Sequence, residues 1–254
     1  MKKILIVLTA VLMIGAIFVM ADVTSQNVVG FSKVTIPATN GLTLIAIPFD
    51  AFSNTLAGVF GTNQLIQGTT KSAANADKVY IWNATLQSFA SYAQLTNGEF
   101  YSLSGWPASK ATNIMSPGMG FWLQSSPTTA VSRTITIMGE VVSVLTQSVE
   151  IIAGLQQISY PFSSSIALTN TDFGSDGINK GTTKSAANAD KIYVWVVSQY
   201  VAYALNGTDS KWYNVSGWPG TPATNTLQMG EGFWFQRLSN TMTWTETNKY
   251  AGNL

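Results

Sequence analysis

The stretch GTTKSAANADKVYIW, Gly68 to Trp82, returns as GTTKSAANADKIYVW from Gly181 to Trp195, with thirteen of fifteen residues identical. The two differences, Val79 against Ile192 and Ile81 against Val194, exchange one β-branched residue for another. The stretch reads as a polar loop of small residues running into a strand, since β-branched and aromatic side chains favour extended chain. Strand alternation sends Val79 and Ile81 to one face and Tyr80 and Trp82 to the other. Both faces are then apolar or aromatic, which suits either a strand covered on both sides or one that carries an aromatic binding face. Asp77 and Asp190 close the two loops, where their carboxylates are expected to accept backbone N–H bonds and fix the loop shape.

The repetition extends outward from this stretch. Ile47-Pro48-Phe49 matches Tyr160-Pro161-Phe162, 113 residues on, and Ser104-Gly105-Trp106-Pro107 matches Ser216-Gly217-Trp218-Pro219 at a spacing of 112. Gly118-Met119-Gly120-Phe121-Trp122 matches Gly230-Glu231-Gly232-Phe233-Trp234, also at 112. The landmarks keep their order, as in a tandem duplication of a unit of about 110 residues, an ordinary domain size. The expected units are residues 22–138 and 139–254, packed either as two domains or as one pseudo-two-fold domain. Within each unit the local signals are those of strands: GLTLIAIPF (Gly41–Phe49), QSFASYAQL (Gln87–Leu95), QYVAYAL (Gln199–Leu205), GFWLQ, GFWFQ, RTITIMGEV (Arg133–Val141) and TMTWTET (Thr241–Thr247). Turn signals at Asn97-Gly98, Ser116-Pro117-Gly118, Asn206-Gly207 and Pro219-Gly220 separate them. Short helical turns are expected at most near Leu56–Phe60 or Ala73–Ala76. The expected fold class is all-β, two tandem repeats of a small antiparallel sandwich or barrel-like unit.

Met1-Lys2-Lys3 followed by the uncharged apolar run Ile4–Ala21 has the form of a secretory signal peptide, residues 1–21, with cleavage expected after Ala21. A retained membrane anchor is the alternative. Loss of Lys2 and Lys3 leaves eleven basic against twelve acidic residues. So weak a net charge does not attract nucleic acid or an anionic membrane through an overall field. The chain has no cysteine, so an exported protein of this sequence has no disulfide and is held by core packing. A surface poor in charge and rich in Ser, Thr and Asn suits contact with copies of itself, a matrix or glycans. The expected location is secreted or in the cell envelope.

The absence of histidine and cysteine removes Ser-His-Asp and Cys-His nucleophiles, zinc sites built on those ligands and thiol redox chemistry. Carboxylates remain, with Asp77, Glu99, Glu140, Asp190 and Glu231 as the candidates for glycoside hydrolysis. That reaction needs two carboxylates in different environments, and the repeat mates Asp77 and Asp190 tend to share one. No catalytic residue is assigned, and no metal or cofactor is expected. Asp172-Phe173-Gly174-Ser175-Asp176-Gly177 has part of a calcium-loop skeleton, but Gly174 and Thr183 stand at ligand positions, so it reads as a turn. Six of the eight tryptophans are repeat-paired. Trp106 and Trp218 sit in Gly-Trp-Pro turns, where an indole either stacks on a sugar ring or caps the end of the β core. Trp122 and Trp234 are expected in the core.

The sets Leu44-Ile45-Ala46-Ile47-Pro48, Asp77–Trp82, Gly105-Trp106 and Gly118–Trp122 resemble the marks of duplicated secreted all-β bacterial proteins of unknown role, of the Verrucomicrobia and Lentisphaerae type. They also resemble a β-module appended to bacterial surface proteins. The second copy carries Asp190–Trp195, Gly217-Trp218 and Gly230–Trp234, while its first strand, LQQISYP (Leu155–Pro161), departs from the pattern. The resemblance implies export and a β fold and brings no catalytic residues with it.

Three functions are compatible with these features. The first is an exported, non-catalytic structural or self-associating protein of the cell envelope or matrix, using strand edges for pairing. The second is a carbohydrate-binding module, with Trp106 and Trp218 stacking on sugars, Tyr80 and Tyr193 beside them, and Asp77 and Asp190 accepting hydroxyls. The third is a carboxylate glycoside hydrolase. The expected partners are a further copy of the chain or a cell-surface glycan, with no nucleic acid and, after signal cleavage, no membrane.

Overall fold

The computed structural model describes residues 28–250 apart from 197 and 198; the expected signal segment 1–21 and its cleavage site lie outside the described residues. The first unit comprises β1 (Val29–Ile36), β2 (Leu42–Ala46), β3 (Phe49–Asp50), α1 (Leu56–Phe60), β4 (Lys78–Asn83), β5 (Ser88–Gln94), β6 (Phe100–Ser102), β7 (Gly120–Gln124) and β8 (Arg133–Val141). The second comprises β9 (Thr146–Ile151), β10 (Gly154–Ser159), β11 (Ile166–Ala167), β12 (Lys191–Val196), β13 (Gln199–Leu205), β14 (Trp212–Asn214), β15 (Thr226–Leu227), β16 (Gly232–Arg237) and β17 (Met242–Thr247). Each unit has one five-stranded antiparallel sheet, ordered β2-β7-β4-β5-β6 in the first and β10-β16-β12-β13-β14 in the second. The two orders are the same once repeat mates are exchanged. A ribbon forms the other layer: β1-β8-β3 in the first unit and β17-β9 in the second. The all-β antiparallel fold expected from the sequence is the fold observed. Strand β8 continues to Val141, so the boundary expected between 138 and 139 falls inside a strand, and the chain passes between units after it.

Alternation explains the layers. Val79 and Ile81 of β4 and Phe121 and Leu123 of β7 point inward, where they meet Val34 and Ile36 of β1 and Ile135 and Ile137 of β8. Leu56 and Phe60 of α1 close one end of this core. The Thr55 hydroxyl accepts from Gly58 N at 3.1 Å and caps the helix, which stops at Gly61 with φ +62°. The second unit has two short 3₁₀ turns in place of α1, Leu168–Asn170 and Asp172–Ser175. They deliver Phe173 onto Trp244 of β17, stacked at 3.9 Å. The Asp172–Gly177 segment is a turn bonded to β17, because Asp172 Oδ2 accepts from Thr247 N and Asp176 Oδ2 from Thr245 N.

The outer sheet edges are covered by returning chain. Ser102 N bonds Ser109 O and Ala111 N bonds Phe100 O beside β6, and Ala223 N bonds Trp212 O beside β14, each at 2.8 Å. The inner edges, β2 and β10, meet at the junction between units. Ala46 N donates to Gly230 O and its repeat mate Ser159 N donates to Gly118 O, both at 2.9 Å. The first glycine of each G-x-G-F-W motif turns the chain at positive φ, +92° at Gly118 and +79° at Gly230. The second permits close approach: a Cβ on Gly120 would stand 2.8 Å from Ile158 O, and one on Gly232 would stand 3.2 Å from the Gly120 Cα. The motif is therefore a junction motif, read twice.

Glu246 of β17 is buried. Its Oε2 accepts from Asp172 N at 2.8 Å and Trp244 Nε1 at 3.0 Å, and Lys249 Nζ lies 3.6 Å from Oε1. Burial, reinforced by the Asp172 charge, pushes its pKa up to about 6. A carboxyl raised above its unfolded value contributes stability that is complete below the unfolded pKa and is lost as pH rises through the folded one. The contribution is about 2 kcal/mol. Thermal unfolding should show Tm of the wild-type chain falling relative to Glu246→Gln as pH rises from about 4.5 to 7. Parallel curves would place the pH sensitivity elsewhere.

Candidate functional site

The GTTKSAANAD loop of each unit is organised by its aspartate. Asp77 Oδ2 accepts from Ile66 N at 2.6 Å and Oδ1 from Ser126 N at 2.7 Å. In the second unit Asp190 Oδ2 accepts from Asn179 N at 2.7 Å and Oδ1 from Leu238 N at 2.8 Å. Ile66 and Asn179 are repeat mates, as are Ser126 and Leu238. Each carboxylate also holds an arginine, Asp77 with Arg133 of β8 and Asp190 with Arg237 at the end of β16. The arginines are not repeat mates: their counterparts are Thr245 and Ser125. Both aspartates are buried. The backbone-accepting role read from the sequence is the one observed. The expected role as acceptors for sugar hydroxyls is corrected, because these oxygens face inward and are engaged by backbone and guanidinium.

The turn tryptophans belong to the same construction. Trp106 Nε1 donates to Thr69 O and Trp218 Nε1 to Thr182 O, both at 2.9 Å. The rings lie over Gly68 and Gly181, where an added Cβ would come within 2.8 and 2.5 Å of the indole Cζ2. They pack against Ala73 and Ala76 in one unit and Ala186 and Ala189 in the other. Tyr101 and Tyr213 meet them edge-on. The small residues of GTTKSAANAD are thus the seat of an indole in both units, where the tract is identical. Trp106 and Trp218 are half-buried, each held to its loop by a ring contact and a hydrogen bond.

A different set of aromatics lines the junction. Tyr80 and Tyr193 stand half-buried on the outer faces of the sheets, their hydroxyls donating to Gln124 and Gln236 at 2.8 and 2.7 Å. Burial raises both phenols above their ordinary pKa. Trp122 and Trp234, expected in the core, are on this outer face too: Phe121, Leu123, Phe233 and Phe235 take the inward positions, and alternation sends the tryptophans out. On one side of the junction the face is closed. Trp82 and Trp234 pack edge-to-face at 5.1 Å with Phe89 at 4.8 Å from Trp82, and Trp82 Nε1 donates to Leu155 O at 2.6 Å. On the other side the repeat mates Trp195 and Trp122 have no such ring contact among the described residues; Trp195 packs on Tyr200 and is 49% exposed. A cleft of about 340 Å³ opens between them, lined also by Leu42, Leu44 and Glu231. A second hollow of about 250 Å³, over Tyr80 and Phe89, shares Leu42 and Trp122 with it. Glu231 is the one carboxylate lining the cleft, and partial desolvation raises its pKa.

The structure thus brings Tyr80 to the edge of an aromatic groove and places Trp106, Trp218, Asp77 and Asp190 in the loop seats. Glu99 is paired with Lys110 at 3.0 Å, and Glu140 lies in β8 opposite Val29. Among the described residues no group of three or more acidic, histidine or cysteine side chains is arranged to hold a metal ion, and no helix is long and apolar enough to cross a membrane. The sequence places Trp122 in the core and leaves Trp195 open between a covered strand and an aromatic binding face; the unlike lengths of the β4–β5 and β12–β13 linkers are the signal that separates the two halves. Removing a buried pair's anion strands its cation, at a cost of about 3–5 kcal/mol. Urea unfolding should show Asp190→Ala destabilised by that amount and Asp77→Ala by less, because Arg133 is 21% exposed against 7% for Arg237. No family model, no curated protein and no solved structure matches this chain.

Proposed function

We propose that this is an exported, non-catalytic glycan-binding protein whose ligand lies in the cleft between Trp122 and Trp195. The observation that carries the reading is the open aromatic cleft itself, on a face whose repeat-related half is sealed. Its volume, about 340 Å³, falls in the ordinary range for small-ligand sites. Flat indole surfaces suit the apolar face of a pyranose, and Glu231 supplies an acceptor for a hydroxyl. The adjoining hollow extends the groove past Trp122, in keeping with an oligosaccharide rather than one ring. A single carboxylate favours binding over hydrolysis, which needs an acid and base pair flanking the bond. Calorimetric titration with cellohexaose should show affinity falling at least about tenfold in Trp122→Ala and in Trp195→Ala. Trp218→Ala should lower stability and leave affinity unchanged. Undiminished binding in both cleft variants would reject the site.

Self-association is the second reading, and a separate surface favours it. Strand β1 is the edge of its layer, and on its outer face Phe31, 63% exposed, stands directly opposite Met138 of β8, 54% exposed. An edge strand with exposed apolar side chains is a template for pairing with another copy. Light scattering across a concentration series should show growth that Phe31→Lys suppresses. A wild-type chain that stays monomeric throughout would dismiss this reading.

A further inference from the structure

The sealed half of the junction holds a group that shows what the open half is built to accept. On the sealed side the Gln87 carboxamide lies against the edge of β10. Its Oε1 accepts from Leu155 N at 2.9 Å and its Nε2 donates to Leu155 O at 3.0 Å. A Cβ on Gly154 would stand 2.8 Å from the Gln87 Cδ, so the amide also lies flat on the backbone before Leu155. Both backbone groups of Leu155 therefore point away from β16. Leu42, its repeat mate, has the same register: Leu155 faces Gln236, and Leu42 faces Gln124. Residues along an antiparallel ladder alternate between exchanging both hydrogen bonds and exchanging none. Leu42 N–H and C=O accordingly point away from β7, toward the cleft that Leu42 lines.

None of the three hydrogen bonds made to Leu155, two from Gln87 and one from Trp82, has a counterpart at Leu42 among the described residues. The sequence supplies the reason. Four residues, Ala84–Gln87, lie between β4 and β5, whereas two, Val197 and Ser198, lie between β12 and β13, so the second linker is shorter and has no glutamine.

We infer that an adjacent pair of sugar hydroxyls does at Leu42 what the Gln87 carboxamide does at Leu155, and that each chain carries one such site. The inference rests on the glycan reading above and specifies its ligand. What Gln87 offers is an acceptor and a donor side by side. Vicinal hydroxyls offer the same, one accepting from the N–H and its neighbour donating to the C=O, while the ring stacks on Trp122 or Trp195. A secondary amide alone does not, because its trans geometry directs C=O and N–H to opposite sides; beside a hydroxyl its N–H can only donate, so such a pair fits in one orientation where two hydroxyls fit in either, and it brings an acetyl group against the same edge. The ligand class is an oligosaccharide with free neighbouring hydroxyls, of which cellohexaose is the probe, as distinct from a chitin-like polymer in which one of that pair is replaced by an acetamido group.

Calorimetry on the whole chain tests this with cellohexaose, chitohexaose and the acetylated, amidated peptide Ala-Thr-Leu-Gln, which copies residues 84–87. Cellohexaose should bind one site per chain, at least about tenfold more tightly than chitohexaose. Equal affinity for the two sugars overturns the hydroxyl bridge and leaves the stacking site standing, whereas no binding of either overturns the glycan reading with it. Tighter binding of the peptide than of cellohexaose reassigns the Leu42 edge to a carboxamide ligand and overturns the inference. Two sites per chain also refutes it. Replacing Val197-Ser198 by Ala-Thr-Leu-Gln should weaken cellohexaose binding at least about tenfold, by bringing an internal carboxamide to Leu42. The same graft ending in alanine should retain binding. Equal loss in the two grafts, with near-ultraviolet dichroism unchanged, would mean that loop bulk and not the Leu42 edge governs access, and would overturn the inference.

Discussion

A buried carboxylate with every acceptor engaged is the constraint around which each unit is assembled. Asp77 joins three separate stretches of chain, through Ile66 before the loop, Ser126 after the sheet's second strand and Arg133 of β8, whereas Asp190 joins two, through Asn179 before the loop and the adjacent Arg237 and Leu238 at the end of β16. An ionised group removed from water has to be met by donors and a countercharge, or the fold loses more than it gains. The carboxylate and its backbone donors occur at matching positions in both units, whereas the cation does not. In the first unit it comes from the ribbon, so the ion pair ties the two layers together; in the second it comes from the end of the sheet strand itself. The demand for a positive charge at that point is common to both, and two different solutions meet it.

The loop built on this carboxylate presents glycine and alanine to an indole, and the indole returns its N–H to the loop backbone. Loop, aspartate and turn tryptophan therefore form one unit of construction at the outer end of each sheet. At the inner end the G-x-G motif performs the opposite task, letting two backbones approach where side chains would keep them apart. The sheet is defined between these two ends, and its outer face is left to differ between the units.

Much of this was legible in the residues. The strands from Lys78, Arg133 and Gly232 follow from alternation and β-branched composition, and the role of Asp77 follows from aspartate chemistry in turns. The arginine partners were not legible, because they lie outside the repeat register and approach from distant elements. Nor were the positions of the tryptophans. Alternation says that Trp122 and Phe121 point to opposite faces, but only the packing of the ribbon decides which face is inside. Trp82 and Trp195 occupy the same place in nearly identical stretches, yet one is sealed against Trp234 and the other stands open, since the difference arises in the hairpin beyond them and in contacts made across the junction. Strand β1 has serine and lysine interleaved with its apolar residues, and its sequence alone did not mark it as half of the covering layer.

The reciprocal hydrogen bonds at the junction, Ala46 to Gly230 and Ser159 to Gly118, have a consequence for how such a chain originates and changes. Each unit carries both halves of the contact, so a gene encoding a single unit would specify a surface complementary to itself, and two such chains would associate head to head. Fusion of two copies then confers freedom: one half of the face can be sealed for rigidity while the other is left open, a division of labour that identical subunits related by symmetry cannot make. Because the GTTKSAANAD tracts are identical in both units, exchange between them in the gene would remove or add one whole unit in frame, with the buried aspartate and the indole seat intact at the joint.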